Sequence, residues 1–493
     1  MDLLELVRGC TFDDFLLTPQ CGVLPSRDPA LVDLSTRFSE HLTIKRPIVS
    51  ANMDTVTRAA MATVLAEEGG LGIIDRGFRT GEIGPQVDEV AAVKRRQHGV
   101  IADPHSIGGD QRVSDAIRVM ERTGVGTLAV VDAARRLTGV LTERDIRFVR
   151  PESLVSERMT PREQLVVHVG PISLEDAERL MVARKIKKLP LVKGDGTLLG
   201  LITARDLIKQ KQQPFATRDA RGRLRVAAAI GATGDYLERA AEVLRAGADV
   251  LVVDIAHGHS IVMERALEEI RKRFDAVELV AGNVATGEGA RFLLDRGVNA
   301  VKVGIGPGGG CATRLTTNFG IPQVEALVRC RLAVGDRVPL IADGGVKRDG
   351  SIAEALLFGG DTVMLGSAFA GTEETPGEVV MKAVLEPESQ KMVKAPFKVF
   401  RGMASIGAIR DRLDLEDAAP GELEAIGAEG IEVSVPARGS ARTVIHEMLK
   451  HLCSAVSYGG ARSLQELKQQ FWSQPEQYLV KLTEASRVES FHR

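Results

Sequence analysis

Short runs of continuously apolar residues, each leading toward a segment whose apolar positions recur at helical spacing, dominate the chain. Eight runs read as strands: PIVSA (47–51), LGIID (71–75), VAAAI (226–230), DVLVVD (249–254), VELVA (277–281), AVKVG (300–304), VPLIAD (338–343) and TVMLG (362–366). Seven precede a predicted helix directly, and the sixth leads first into a glycine loop. TRAAMATVLAEEG, after the first run, and SIVMERALEEIRKRF, after the fourth, show the helical recurrence well. The runs are apolar throughout instead of alternating, as parallel strands covered on both faces should be. Eight strands alternating with helices predict an α/β fold in which the sheet closes into a parallel (β/α)8 barrel.

One interval breaks the rhythm. About 150 residues separate the second and third runs, far beyond a normal connection, so this stretch is expected to fold separately. It holds an internal repeat: LTGVLTERDI begins at Leu137 and LLGLITARDL at Leu198, 61 residues later. Asp115-Ala116 matches Asp176-Ala177 at the same offset, each opening a helix that leads to an apolar strand. The predicted organisation is a first barrel part (1–100), an inserted pair of αβ units (101–213) and a second barrel part (214–493).

The 493 residues carry 64 Lys+Arg against 66 Asp+Glu, for a net charge of -2. No basic excess of the kind a nucleic-acid or membrane-surface binder needs is present. No apolar run approaches the roughly 18 residues that span a bilayer. MDLLELVRGC lacks the basic start and apolar core of a secretory leader, and SFHR is not a peroxisomal signal. Five scattered cysteines without CxxC spacing fit a reducing compartment. Together these predict a soluble cytoplasmic protein.

The polar and glycine-rich loops fall at the C-terminal ends of the predicted strands, where barrel enzymes gather their active sites. After the sixth strand, five glycines lie between Gly304 and Gly310, and Cys311 follows at once. A thiol on an unhindered loop suits a nucleophile attacking a planar electrophile; the alternative is a small core cysteine, the reading preferred for Cys330 on its apolar helix. Gly304–Gly309 matches GxGxxG literally, but no helix opens on it, so a dinucleotide fingerprint is rejected. Gly344, Gly345, Gly366 and Ser367 offer backbone N–H groups for a phosphate, or form two ordinary tight turns. Asp343, at the end of its strand, suits a ribose diol. Asp254, His257 and His259 read as a polar wall rather than metal ligands, for want of a third ligand cluster. Asn283 suits an amide or a ribose, or an Asx turn.

FDDFLLTP (12–19), VSANMDTV (49–56), DIAHGHS, AGNVAT, GIGPGGGCATR, ADGGVK, MLGSAFAGTEETPGE (364–378) and FRGMAS (400–405) occur in one order over most of the chain. In these motifs the chain resembles the IMP dehydrogenase/GMP reductase family, and the insertion resembles that family's paired CBS modules. The resemblance implies a (β/α)8 TIM barrel with an inserted tandem CBS (Bateman) domain. It implies that Cys311 attacks purine C2 of a 5′-monophosphate and that a nicotinamide cofactor exchanges hydride there, with Thr313 as the catalytic threonine. Ala51, Met53, Gly309, Asp343, Gly344, Gly345, Gly366, Ser367, Gly402, Met403 and Ala404 are then expected around the substrate GMP or IMP. Asp254, Ala256, His257, Asn283, Thr233, Gly304 and Gly306 are expected around the cofactor. Thr142/Asp145 and Thr203/Asp206 match the Thr-x-x-Asp element that holds ATP, GTP or GMP in CBS modules. By the same analogy the backbone of Gly306, Gly308 and Cys311 would hold a monovalent cation such as K+, and the barrels would form a homotetramer that CBS pairing can double to an octamer.

Which activity is implied turns on residues 406–432. IMP dehydrogenases hydrolyse the thioimidate with an Arg-Tyr pair on a flap; here Arg412 is followed by Leu413. Gly309 replaces a common serine, Phe400 a phosphate-binding tyrosine, and GMAS stands for GMGS. Ile406 occupies the place of the glutamate found in many GMP reductases, which leaves Glu429 to pair with Thr313. The resulting expectation is a GMP reductase using NADPH, with Cys311, Thr313 and Glu429 catalytic. The alternatives are an IMP dehydrogenase using NAD and a non-catalytic nucleotide sensor.

Overall fold

The structure is a computed structural model that describes residues 2–26, 28, 31–96, 100–101, 104–385, 391–413 and 427–491, the side chains of Val100, Asp206, Lys209 and Gln210 excepted. Eight strands form a closed barrel: β1 (Ile48–Ser50), β2 (Leu71–Ile74), β3 (Ala227–Ile230), β4 (Val250–Asp254), β5 (Glu278–Val284), β6 (Ala300–Val303), β7 (Leu340–Asp343) and β8 (Thr362–Leu365). They follow one another around the barrel with β8 paired to β1 and β2 to β3, and every pair is parallel. These are the eight apolar runs of the sequence. The one substantial difference is β5, which runs on through Val284 and so carries Asn283 on the strand, with a register shift between Gly282 and Val284.

Helices α1 (Ala59–Glu67), α2 (Gly84–Arg95), α3 (Tyr236–Arg245), α4 (Ile261–Arg273), α5 (Gly287–Leu294), α6 (Gln323–Val334) and α7 (Gly350–Leu357) follow the first seven strands. Their starts are chemically marked: Ser260 caps α4 by accepting from the Met263 N–H, and Thr286 caps α5 by accepting from Gly289. The strands are apolar over most of their length because both faces are buried. On β4, Val250 and Val252 join the barrel interior while Leu251 and Val253 join the outer shell beneath the helices. A hairpin, Thr36–Ser39 with Leu42–Ile44, adds Phe38, Leu42 and Ile44 to the interior cluster. Each such side chain contributes about 1.5–3 kcal/mol when fully buried. β6 departs from this pattern: Ala300 is interior, Val301 and Val303 are exterior, and Lys302 is only 2% exposed.

Beyond β8 an antiparallel sheet forms from β9 (Val380–Leu385), β10 (Met392–Arg401) and β11 (Glu432–Pro436). Helix α8 (Ile406–Leu413) leaves β10, and α9 (Ala441–Tyr458) and α10 (Leu464–Ser473) complete the outer layer. Among the described residues no helix is long and apolar enough to cross a membrane.

A second compact unit comprises residues 96–214 and 218–223. It has two four-stranded sheets. Thr127–Val131 pairs antiparallel with Leu137–Thr142 in one, and Lys188–Val192 pairs antiparallel with Leu198–Thr203 in the other. The repeat seen in the sequence is carried by the packing. Ala116, Met120, Leu128, Val130 and Leu141 form one small core, and Ala177, Met181, Leu189, Leu191 and Ile202, each 61 positions on, form the other.

Candidate active site

The C-terminal ends of the barrel strands surround a cavity of about 430 Å³, within the usual range for a small-molecule site. Cys311 lines it, half-buried and with a free thiol. The loop that carries Cys311 is zipped to a distant segment: Ala312 N–H donates to the Glu429 carbonyl at 2.7 Å, and Ile431 N–H to the Gly310 carbonyl at 3.0 Å. That pairing brings Glu429 to Thr313, the first residue of the short helix Thr313–Thr317. The Thr313 hydroxyl donates to Glu429 Oε2 at 2.7 Å and lies 3.2 Å from Cys311 Sγ. Sulfur, hydroxyl and carboxylate thus form one hydrogen-bonded chain along the cavity wall.

The glycines here serve close approach as much as flexibility. A Cβ on Gly402 would come within 2.1 Å of the Gly310 carbonyl oxygen, so no larger residue fits where Gly402 and Gly310 cross. Arg314 fixes the base of the loop, donating from Nε to the Ile305 carbonyl and from Nη2 to that of Ile321, at 3.2 and 2.5 Å. A Cβ on Gly306 or Gly320 would strike its side chain. Gly308 accepts from the Cys311 N–H at 3.0 Å.

Against this loop, with Gly344 beside Pro307 and Gly308, lies a corner suited to an anion. Gly344 and Gly345 have φ of +87° and +84°, a conformation L-residues avoid, and they line the cavity with Ser367 and Gly366. Gly309 faces Ser367, with 3.7 Å left for a Cβ. A Cβ on Gly366 would meet Met53 Sδ at 3.1 Å, Ala51 Cβ at 3.5 Å and the Phe400 ring at 3.9 Å. Met403 and Ala404 line the cavity beside Gly402.

At the third side the acids expected to act alone are members of a network. Lys302 Nζ donates to Asp343 Oδ2 at 2.6 Å and lies 3.2 Å from Asp254 Oδ2. Asn283 Nδ2 donates to the same Asp343 oxygen at 2.8 Å and to the Gly304 carbonyl at 2.6 Å, a cross-strand role in place of an Asx turn. Asn52 donates to Asp254 Oδ2. Burial opposes the Asp254 charge, but Lys302 and Arg76 outweigh it and hold the carboxyl below its ordinary range. Burial likewise opposes the Lys302 charge, and Asp254 and Asp343 more than offset it, holding the ammonium above its ordinary range.

The sequence reading missed Lys302, Arg76, Asn52 and Arg314. A lone lysine inside an apolar strand was the available signal for the first; Arg76 and Asn52 each lie two positions past the ends of β2 and β1, where loop residues gather. Arg412, on α8, also lines the cavity; burial, then Arg76, push its guanidinium below the usual range against the pull of Asp54. Ala256, Gly304 and Gly306 line the cavity, whereas Thr233 and His257 are exposed and do not. Cys330 is fully buried in α6, donates to the Thr286 carbonyl, and has its thiol pushed up to about 12 by burial. Among the described residues no three His, Cys, Asp or Glu side chains group as a metal site. In the second unit the Thr142 N–H donates to Asp145 Oδ2 at 2.7 Å, and Thr203 ends the equivalent strand; the Asp206 side chain lies outside the described residues.

Comparison with known proteins gives a consistent picture. Residues 9–492 match the family described as IMP dehydrogenase / GMP reductase domain. An inosine-5'-monophosphate dehydrogenase of Aquifex aeolicus is 42% identical over 470 residues, covering 94% of this chain and 92% of the relative. One from Streptococcus pyogenes is 43% identical over 471 residues, with the same coverages. Among solved structures, a Trypanosoma brucei GMP reductase variant in complex with guanosine 5'-monophosphate superposes with a TM-score of 0.87 at 35% identity, over 98% of this chain and 97% of the other.

Proposed function

The chain belongs to the IMP dehydrogenase/GMP reductase family, and on that premise we propose that it is a GMP reductase, converting GMP to IMP and ammonia with NADPH. The observation that carries this reading is the chain Cys311–Thr313–Glu429, taken with the Leu413 that follows Arg412. Expelling an amine from C2 requires a proton delivered to its nitrogen, and a carboxyl reaching through a hydroxyl beside the nucleophile is built to supply one. In this reading the Cys311 sulfur adds to C2, Glu429 protonates the departing amine through Thr313, and ammonia leaves behind a thioimidate. When bound, the reduced nicotinamide supplies hydride to C2. The C–S bond then breaks to release IMP and return the thiolate.

The Gly345, Gly366 and Ser367 corner would hold the phosphate, Asp343 the ribose, and Met403 and Ala404 the base. The residues on the Asp254 side fit a dinucleotide: Asn283 Oδ1 is buried without a hydrogen-bond partner and can accept from an amide or hydroxyl of that ligand. Asp254, Ala256, Asn283, Gly304 and Gly306 would line that end. Backbone carbonyls of Gly306, Gly308 and Cys311 would take a monovalent cation. The inserted unit is proposed to be a CBS pair that binds ATP, GTP or GMP and tunes a homotetramer or octamer in the cytoplasm.

A specific observation favours a second reading, an IMP dehydrogenase that oxidises IMP to XMP with NAD and water. Burial and Arg76 depress the Arg412 guanidinium, as a base for hydrolysis requires. Nicotinamide absorbance separates the two readings. Loss of NADPH with GMP, forming IMP and ammonia, is the expected result. Sustained NADH formation from IMP and NAD, with GMP inert, would overturn it and make Arg412 the water activator. Silence in both, with ATP and GTP present, would leave a nucleotide sensor.

A further inference from the structure

β6 places a lysine where its neighbours in the barrel interior are apolar. Burying an ammonium is costly unless it is paired and hydrogen-bonded, and Lys302 at 2% exposure has two carboxylates, from strands on either side of its own. Asp254 ends β4 and Asp343 ends β7, and both line the cavity. Neither acid has this cation to itself. The charged groups facing the pair are Lys302, the two carboxylates and Arg76, and the remaining polar partners, Asn52 and Asn283, are neutral.

We propose that Lys302 is a positioning residue that couples the two halves of the cavity, its one ammonium holding both Asp343 on the nucleotide-ribose side and Asp254 on the dinucleotide side. The proposal rests on the assignment of those two sides made above. A ligand hydroxyl that donates to Asp343 weakens that acid's claim on the ammonium and strengthens the hold on Asp254. The reverse holds when a ligand engages Asp254. Coupling of this kind is reciprocal: each ligand alters the affinity of the other by the same factor. Without the lysine, the two half-buried carboxylates keep Arg76 as the one cation facing them, and losing the ammonium disfavours holding both in the charged form.

The test is equilibrium binding of GMP to the full-length protein, without turnover, across about pH 5.5 to 8.5 and with or without NADP+. Wild type is expected to show only the pH dependence of the GMP phosphate, whose second proton leaves near about pH 6, and to change its GMP affinity when NADP+ is present. Lys302→Met is expected to weaken GMP by about tenfold or more. It should also show affinity rising more steeply with pH than in wild type, and lose most of the NADP+ effect. Lys302→Arg, which keeps the charge, should show no new pH dependence. A uniform loss of affinity in Lys302→Met, with the wild-type pH profile and the NADP+ effect intact, would reduce Lys302 to a structural pair and overturn the proposal. Should the methionine variant fail to fold, Lys302→Gln is judged by the same two readouts. IMP with NAD replaces GMP with NADP+ if the activity is that of an IMP dehydrogenase, and failure of wild type to bind either monophosphate would count against the proposed function instead.

Discussion

Thr313 and Glu429 are 116 residues apart in the chain, and the Thr313 hydroxyl donates to Glu429 Oε2 at 2.7 Å. With Cys311 Sγ 3.2 Å from the same hydroxyl, one threonine joins a thiol to a carboxyl. General acid–base relays of this kind contribute about 10²–10⁴ in rate. Glu429→Gln preserves the shape and removes the proton donor, so kcat for GMP reduction should fall by about that factor with GMP affinity changed only a few-fold. Thr313→Val should behave alike, and the double variant should be no slower than the worse single one, because members of one relay are not additive. Losses that multiply in the double variant would mean the two act separately.

Cys311→Ala tests the covalent step. The thiol lines the cavity, and no other described cysteine does. Turnover should drop by at least about 10³-fold, while GMP binding measured by calorimetry stays within a few-fold. A variant that still turns over at the normal rate would rule out a Cys311 adduct.

Much of this was legible in the sequence because the physics was local. Strand positions followed from runs that are apolar on both faces, and the 61-residue repeat from two cores with matched residues. That Cys311, Thr313 and the glycine loops would line one cavity was readable from loop chemistry at strand ends and from resemblance to a family. Lys302 was not, because a single lysine in AVKVG has no local meaning until β4 and β7 bring Asp254 and Asp343 to it. Arg314 escaped for the same reason: its carbonyl acceptors, Ile305 and Ile321, converge only when the loop folds back. Asn283 was read as a loop residue and lies instead on β5, since its side chain bonds across strands to Gly304 and Asp343.

Stability should depend on a buried ionic cluster remote from the cavity. Asp361 accepts from Lys468 at 2.7 Å, from the Leu340 N–H at 2.9 Å, and from Arg331. Burial opposes its charge, but Lys468 and Arg331 hold the carboxyl below its ordinary range. Asp361→Asn leaves the buried Lys468 and Arg331 with the solvent-exposed Asp336 as their nearby counter-charge and should cost about 3–5 kcal/mol by chemical denaturation. A change under about 1 kcal/mol would mean that solvent reaches the cluster.

The inserted unit offers a separation of regulation from chemistry. Asp145 braces the turn after Thr142, accepting from its N–H at 2.7 Å, and Asp206 stands at the equivalent place in the repeat. Asp145→Ala and Asp206→Ala should blunt the response of turnover to added ATP or GTP, and leave the GMP and NADPH saturation curves unchanged without effector. An unaltered response in both variants would move the regulatory site elsewhere.

Glu354 should make stability fall with pH. It lies on α7 at 5% exposure, and its Oε2 has no hydrogen-bond partner. Burial pushes its carboxyl up to about 8, with Asp13 and Asp14 adding to the rise and Arg348 and Ser351 opposing it. Because the folded value exceeds the unfolded one, the native state binds the proton more tightly. The resulting stability is complete below the unfolded value of 4.5 and is lost as pH climbs through about 8. Asp75, raised by burial to about 6, has the same sign but finishes titrating lower. Comparison at about pH 6.5 and 9 therefore isolates Glu354, and over that window wild type should lose on the order of 2 kcal/mol. Glu354→Gln cannot titrate and should lose little, so the variant gains on wild type as pH rises. Parallel losses in the two proteins would show that Glu354 is ionised in the native state throughout, with Arg348 as its compensating charge.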